Sequence, residues 1–325
     1  MRVPPYLSKY SKKDFTVHQH LLLCAVRELE KKTWRGLRDR IEDSKAAEEH
    51  LGLKRIPHFT TPQKFLQRVP KAWFRLMMKR MAELLVTEYS VVGDGTCYRL
   101  RSASTHYLHR LGERIEVRDV RKSVDLLEVT TGLFVASKGM AGTRHEAPHL
   151  VPLVRSLPGT IEFTGDKAFD GETIRRALRE LGVESYIDVK GGRLSPQSGL
   201  RLKTARLKEE HPDLWREKYK RPRALVESSY HALKAVTGEM LPGKGWMRDR
   251  YRALKYFAYD LYVLGRDHGE RVLSFSFLHT VHLEEGFLQT RVRGSPTESR
   301  HADFLSVRRS SPSLLIAPSL PVQNA

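Results

Sequence analysis

Three acidic residues stand where a carboxylate can do chemistry. Asp94 follows the β-rich run YSVV, and Asp166 follows a second apolar run within GDKAFDG. Glu227 lies in a helical segment that begins near Pro222. Carboxylate oxygens at the ends of neighbouring strands can share a hard cation such as Mg²⁺, which prefers oxygen ligands. If the strands that carry Asp94 and Asp166 are neighbours, the pattern predicts an acidic centre made of Asp94, Asp166 and Glu227.

The helix of Glu227 presents cations on the same side as its carboxylate. Arg223, Glu227, His231 and Lys234 follow one another at spacings of four, four and three, so they share one stripe. A carboxylate between cations suits a site that binds metal and phosphate together. The alternative for this stripe is a solvated face with weak ion pairs. Apolar residues elsewhere on the helix supply its buried side, namely Leu225, Val226, Ala232, Leu233 and Val236.

The charge balance points to a polyanionic partner. The 325 residues contain 57 Lys and Arg against 38 Asp and Glu, which gives a formal charge of +19 and a pI of about 10. Such an excess favours nucleic acid as the partner. Residues 190–223 hold 11 basic and 4 acidic residues, and they lead directly into the Glu227 helix. This position favours phosphate contacts over a merely solvated basic surface.

Composition excludes several other classes of protein. Cys24 and Cys97 are the two cysteines, which excludes a disulfide framework. No apolar run reaches the roughly 18 to 20 residues that span a bilayer, and the first residues are polar, unlike a signal peptide. We therefore expect a soluble cytoplasmic protein. The length predicts about two domains.

Residues 1–85 read as helices. Apolar residues at three-to-four spacing predict a helix over 15–31, and a second fits 34–51. The sequence TTP at 60–62 is typical of a helix cap, which predicts a helix through Arg68 and another from Lys71 to Leu85. Short basic helices favour a helix-turn-helix DNA-binding unit with Lys64 and Arg68 as phosphate contacts. A bundle that only supports the next domain gives the same pattern.

Residues 86–268 change to a strand-and-helix pattern. The element order β-β-β-α-β-α-β predicts an α/β fold, with a mixed sheet and helices on its faces. Residues 269–325 are rich in Ser and Pro near their end and predict a loosely ordered tail. The predicted strands are 89–94, two within 114–140 around a turn at 130–132, 160–164 and 184–189, and the predicted helices are 147–157 and 172–181.

The sequence GDKAFDG and the pattern Arg223-x3-Glu227-x6-Lys234 resemble the DDE transposases of prokaryotic insertion sequences, over about residues 8–265. The resemblance implies an RNase H-like domain in which Asp94, Asp166 and Glu227 hold two Mg²⁺ ions, with Mn²⁺ as a substitute. The family usually has Tyr three residues before the Arg, whereas Lys220 stands there and Tyr219 lies one step earlier. Expected phosphate contacts are Lys167, Arg223, Lys234, Lys218, Lys220 and Arg221.

The activity that this resemblance implies is cleavage of double-stranded DNA at the ends of a mobile element, followed by joining of the 3′ ends to target DNA. The expected partners are the terminal inverted repeats, the target DNA and a second copy of the chain, at the nucleoid. Two alternatives remain: an inactive or domesticated DNA-binding relative, and an RNase H-like resolvase or nuclease. Retention of all three acids and Lys234 favours activity.

Four further polar residues invite simpler interpretations. Asp170 and Glu172 fit capping of the next helix. Asp119 and Asp125 fit solvent-facing strand positions. The apolar series Trp73, Phe74, Met77, Met78 and Met81 is typical of a core helix.

Overall fold

The computed structural model describes residues 3–100, 120–142, 144–191, 198–242 and 244–267. The predicted tail at 269–325, Asp119 and Arg193 lie outside these ranges. Within them, no helix combines the length and apolar character needed to cross a membrane.

A five-stranded mixed sheet forms the centre of the described chain. The strand order is β3-β2-β1-β4-β5. Strand β2 runs antiparallel to β1 and β3, whereas β1, β4 and β5 run parallel. This is the RNase H-like arrangement, so the predicted α/β fold is confirmed. The strands are β1 (Tyr89–Arg99), β2 (Val120–Glu128), β3 (Phe134–Ala141), β4 (Thr160–Gly165) and β5 (Glu184–Ile187).

Helices precede the sheet and flank it. The helices are α1 (Val17–Leu29), α2 (Trp34–Glu42), α3 (Lys45–His50), α4 (Thr60–Arg68), α5 (Lys71–Glu83), α6 (Ala147–Arg155), α7 (Glu172–Glu180), α8 (Gly199–Glu210), α9 (Pro212–Trp215), α10 (Arg221–Thr237) and α11 (Gly245–Asp267). A wide π-helical turn, Arg216–Lys220, joins α9 to α10.

Two predicted boundaries in the N-terminal region were wrong. The segment predicted as one helix over 34–51 is α2 and α3, because the Ser44 side chain accepts a hydrogen bond from the Ala47 N–H and starts a new helix. Helix α4 begins at Thr60 itself, so the TTP sequence lies inside the helix and Phe59 precedes it. The Thr60 hydroxyl instead contacts the ring of His58 at 2.9 Å.

The N-terminal helices share one hydrophobic core with the sheet. Leu21 of α1, Phe74 of α5 and Phe163 of β4 are all fully or almost fully buried in the same cluster. The rings of Phe74 and Phe257 lie 6.1 Å apart, so α5 packs directly on α11. Each such side chain contributes roughly 1.5–3 kcal/mol when fully buried. Helices α1 and α5 are therefore held firmly against the last described helix.

The two faces of the sheet are covered differently. Helices α10 and α11 cover one face, where α10 contacts β1 and β4 and α11 contacts β3. Helix α6 contacts β2 and β3 on the other face, with α7 beside it. Gly95 marks that second face, because a Cβ there would lie 2.1 Å from the carboxylate of Glu146. Asp94, one residue earlier in β1, therefore points towards α10.

Candidate active site

Asp94 and Asp166 lie side by side where β1 and β4 separate. Gly93 pairs with Gly165 in parallel register, and each acid is the next residue along its strand. The two strands are neighbours, which meets the condition that the sequence prediction set. Asp94 does not end β1, which continues to Arg99 paired with β2, so that part of the prediction was wrong. Asp94 stands instead where the pairing with β4 ends.

Two glycines let the packing come close to these acids. A Cβ at Gly93 would lie 2.6 Å from the ring of Phe163, and one at Gly165 would lie 2.7 Å from the same ring. Phe163 is fully buried, so the ring has little room to give way. The glycines therefore admit Phe163 beneath the junction and fix the backbone just before Asp94 and Asp166.

Both aspartates are oriented by neighbouring backbone groups. The Gly95 N–H donates to the Asp94 carboxylate at 2.8 Å, and the Ala168 N–H donates to that of Asp166 at 2.5 Å. Burial raises the pKa of Asp94 above its usual value. The charge of Arg223 opposes this rise in pKa, and that of Asp166 adds to it. Asp94 is thus a partly desolvated carboxylate beside a second acid, where a cation is favoured.

Arg223 is the cation that the chain places there. Its guanidinium lies 3.0 Å from the Asp94 carboxylate and 3.2 Å from that of Glu227. Burial alone would lower the pKa of Arg223, but the charges of Asp94 and Asp166 raise it. The predicted stripe on α10 thus contains a real Arg223–Glu227 contact. Glu227 itself is 66% exposed and is linked to Asp94 through Arg223.

The three carboxylates of the acidic centre are suitable ligands for a divalent ion, although Arg223 lies between two of them. Asp94, Asp166 and Glu227 offer oxygen ligands alone, which suits Mg²⁺. Among the described residues, no three Asp, Glu, His or Cys side chains are close enough together to hold a metal ion. Joint ligation by the acidic centre therefore requires Arg223 to withdraw from between Asp94 and Glu227.

The predicted phosphate contacts divide into paired and exposed cations. Lys167 lies 3.3 Å from Asp188, and Lys218 lies 2.6 Å from Glu162. The hydrogen bond to Glu162 raises the pKa of Lys218. The charge of Lys218 is therefore paired within the protein. Lys234 is partly exposed on α10. The remaining predicted contacts are exposed, and they are Lys220 and Arg221 beside the acidic centre and Lys64 and Arg68 on α4.

Sequence reasoning missed Asp188, which follows β5. Gly165 pairs with Ile187, so Asp188 is the neighbour of Asp166 in the sheet. Burial alone would raise the pKa of Asp188, but Lys208 at 2.8 Å and Lys167 hold it below the usual value. The signal was available, because Asp188 follows an apolar run as Asp94 does. The predicted strand extended to Val189 and placed Asp188 inside it.

Tyr219 also lies beside the acids. Its ring stacks on Trp215, with centroids 4.5 Å apart, inside the π-helical turn that precedes α10. Burial, together with the charges of Asp188, Asp166 and Asp94, raises the pKa of Tyr219 to about 12 against the effect of Arg223. The tyrosine that the sequence places one step early therefore still stands close to the acidic centre.

Asp125 is buried, so its assignment to a solvent-facing position was wrong. It lies directly opposite Asp94 in the β1–β2 pairing and is fully inaccessible. Its face of β2 is covered by α10 and α11, a tertiary contact that strand alternation cannot reveal. Burial raises the pKa of Asp125, and Arg252 opposes this. Its carboxylate accepts hydrogen bonds from the hydroxyls of Ser123, Ser137, Tyr230 and Tyr256.

Asp170 does not cap the next helix, whereas Glu172 lies in the first turn of that helix as predicted but makes no side-chain cap hydrogen bond to it. Asp170 binds Arg175 at 3.1 Å and Arg201 at 2.7 Å, with its own side chain fully buried. Glu172 accepts hydrogen bonds from the N–H groups of Leu200 and Arg201 at the start of α8. Both acids join segments far apart in sequence.

Residues 94–247 match the family described as transposase DDE domain. This part of the chain is a transposase DDE domain. The match begins at Asp94 and includes Asp166 and Glu227. A comparison with curated protein sequences gave no match.

Solved structures similar to this chain come from transposases and an integrase. The piggyBac transposase synaptic complex with hairpin DNA is 10% identical, covers 84% of this chain and 69% of that one, and has a TM-score of 0.42. The catalytic core domain of BIV integrase is 11% identical, covers 56% and 98%, and has a TM-score of 0.29. The Mos1 transposase paired-end complex with left transposon end is 15% identical, covers 82% and 81%, and has a TM-score of 0.25.

Proposed function

We propose that the chain is an active transposase that cleaves DNA at the ends of a mobile element and joins the 3′ ends to target DNA. Asp94, Asp166 and Glu227 hold two Mg²⁺ ions, for which Mn²⁺ substitutes. The observation that carries the proposal is the adjacency of Asp94 and Asp166 where β1 and β4 separate, with Arg223 linking Asp94 to Glu227.

The chain's own groups have separable tasks in this reaction. Bound divalent ions activate the attacking oxygen and neutralise charge on the phosphoryl oxygens. The Gly95 and Ala168 N–H groups keep the Asp94 and Asp166 carboxylates oriented. Arg223 has the planar fork that binds phosphate oxygens bidentately, so incoming DNA gives its guanidinium a new partner when it leaves the acids.

We propose that exposed cations guide DNA towards the acidic centre. Lys203 and Arg206 project from α8, and Lys220 and Arg221 lie at the start of α10. These contacts position the backbone of the duplex without reading its sequence. Lys64 and Arg68, one turn apart on α4, extend the basic surface to the N-terminal helices, which we propose as the DNA-binding region for the terminal inverted repeats.

Two further features follow from the proposed reaction. Pairing two ends of one element requires two copies of the acidic centre, so we propose a homodimer in the synaptic complex. We propose that this homodimer acts in the cytoplasm, on nucleoid DNA.

The test uses the full chain and a supercoiled plasmid that carries the coding region with its flanking DNA. Asp94→Asn, Asp166→Asn and Glu227→Gln should each reduce Mg²⁺-dependent cleavage by at least about 10³-fold, because phosphoryl transfer depends on the held ions. DNA binding should remain within about twofold, since phosphate contacts supply most of it. Asp213→Asn is the matched control, because Asp213 is 92% exposed and should tolerate the change.

Two outcomes would contradict the proposal. Cleavage at the parental rate by all three variants would remove the acidic centre from the chemistry. DNA binding without cleavage by the unaltered chain, in both Mg²⁺ and Mn²⁺, would indicate an inactive DNA-binding relative.

A further inference from the structure

The phenol of Tyr230 joins the helix of Glu227 to the strand of Asp94. Its hydroxyl lies 2.8 Å from the backbone carbonyl oxygen of Asp94 and 3.0 Å from the Asp125 carboxylate. Tyr230 is buried, and its ring stacks on Phe134 with centroids 5.5 Å apart. A buried phenol held by packing and by two acceptors has little freedom to move.

Tyr230 lies on the same turn of α10 as Glu227. Tyr230 follows Glu227 by three residues, so the two side chains leave α10 within one turn of each other. One end of the connection is thus the helix turn that carries Glu227. The other end is the main chain of Asp94 itself.

The second acceptor is a rigid anchor rather than a solvated carboxylate. Asp125 stands directly across from Asp94 on β2. The hydroxyls of Ser123 and Tyr256 donate to it at 2.7 and 2.6 Å, and Ser137 of β3 donates to its other oxygen. Because these groups come from β2, β3 and α11, the phenol of Tyr230 is tied to the whole sheet beneath the acidic centre.

We infer that Tyr230 is a positioning residue that sets the spacing between Asp94 and Glu227, and so their joint grip on a divalent ion. This inference rests on the proposed function of the acidic centre. Partners of metal ligands orient the ligand oxygens, and their loss typically weakens metal binding by about 10- to 100-fold. Tyr230 acts on the backbone that carries one ligand and on the helix that carries another.

Tyr256 provides a matched control from the same buried network. Its hydroxyl donates to the same Asp125 oxygen as that of Tyr230, but it comes from α11 and makes no recorded contact with Asp94. Tyr230→Phe and Tyr256→Phe therefore each remove one buried hydroxyl from Asp125. Tyr230→Phe alone breaks the connection to Asp94.

The experiment measures Mn²⁺ binding to the full chain without DNA, by electron paramagnetic resonance, alongside the Mg²⁺ concentration for half-maximal plasmid cleavage. Tyr230→Phe should weaken Mn²⁺ binding by about tenfold and raise the half-maximal Mg²⁺ concentration similarly. Tyr256→Phe should change both by less than about twofold, although both variants lose a buried hydrogen bond and should unfold at similarly lowered temperatures.

Equal Mn²⁺ affinities for the two variants would overturn the inference. If Tyr230→Phe does not fold under ordinary conditions, the unaltered chain, Tyr230→Phe and Tyr256→Phe are all measured at low temperature in a stabilising osmolyte, where equal Mn²⁺ affinities of the two variants again overturn the inference. Asp94→Asn distinguishes a failure of the inference about Tyr230 from a failure of the proposed function. Loss of Mn²⁺ binding in Asp94→Asn with normal binding in Tyr230→Phe defeats the inference alone, whereas normal binding and cleavage in Asp94→Asn defeats the proposed function.

Discussion

Two groups of charges lie close together in this domain and are balanced in opposite ways. The buried ionic hub, made of Asp170, Arg175 and Arg201, compensates its carboxylate fully. Burial alone would raise the pKa of Asp170, but hydrogen bonds from Arg201, the Lys190 N–H and Arg175 hold it below the usual value. In the acidic centre, the pKa of Asp94 is raised, because burial outweighs the opposing effects of Arg223 and the Gly95 N–H, and the charge of Asp166 adds to the rise.

The hub balances its charges within the protein, whereas the acidic centre has an incompletely compensated carboxylate that can bind a cation. The hub is closed by a bidentate arginine, and both Asp170 and Arg175 are inaccessible. The acidic centre is half open, and its order comes from packing around Gly93 and Gly165 rather than from ion pairs. We expect substitutions in the hub to cost stability and substitutions in the acidic centre to cost function.

The largest expected effect is on the hub. Asp170→Asn should lower the free energy of unfolding by about 3–5 kcal/mol, because it leaves two guanidinium groups without their buried counter-charge. Chemical denaturation of the full chain measures this change. The matched control is Asp213→Asn, whose exposed ion pair with Arg216 should contribute less than about 1 kcal/mol.

The same carboxylate gives the hub a pH dependence of known sign. Because the pKa of Asp170 is lower in the folded chain than in the unfolded one, its stabilisation is present above the unfolded value and is lost as the pH falls through the folded value. The unaltered chain should therefore lose stability on acidification more steeply than Asp170→Asn. Parallel acid profiles for the two proteins would show that Asp170 is not compensated as described.

A smaller effect is expected from the packing that fixes the acidic centre. Gly93→Ala forces a Cβ against the buried ring of Phe163, which should cost about 1–3 kcal/mol in the free energy of unfolding. It should also slow plasmid cleavage, because the displaced backbone carries Asp94. Gly191→Ala is the control, since nothing lies within 4 Å of a Cβ there. Equal stability of the two variants would show that Phe163 can move aside.

Sequence patterns predicted the sheet better than the surroundings of its acids. The apolar runs of β1 and β4 and the acids after them predicted Asp94 and Asp166 side by side on the condition that the two strands are neighbours, and the β1–β4 pairing meets that condition. The spacing of Arg223 and Glu227 on α10 likewise predicted their contact. These features depend on local periodicity and on one strand pairing.

The failures all involve partners from distant segments. Asp125 appears solvent-facing until α10 and α11 are placed over β2, and Asp170 resembles a helix cap until Arg201 of α8 reaches it. Asp188 becomes the neighbour of Asp166 only through the register of β4 and β5. Such contacts arise from tertiary packing, which overrides the local preference that a sequence pattern reports.

The smallest expected effect concerns the single cation inside the acidic centre. Arg223→Gln removes the guanidinium that lies between Asp94 and Glu227, and with it the charge that competes with a metal ion for these oxygens. Mn²⁺ binding to the chain without DNA should therefore tighten by about two- to fivefold, the scale of one partly exposed ion pair. Cleavage should nevertheless fall, because the variant lacks the fork that would bind phosphate. Arg216→Gln, which removes an exposed ion pair with Asp213, should change neither quantity. Weaker Mn²⁺ binding in Arg223→Gln would mean that the arginine organises the carboxylates rather than competing for them, and the contrast with the hub would then disappear.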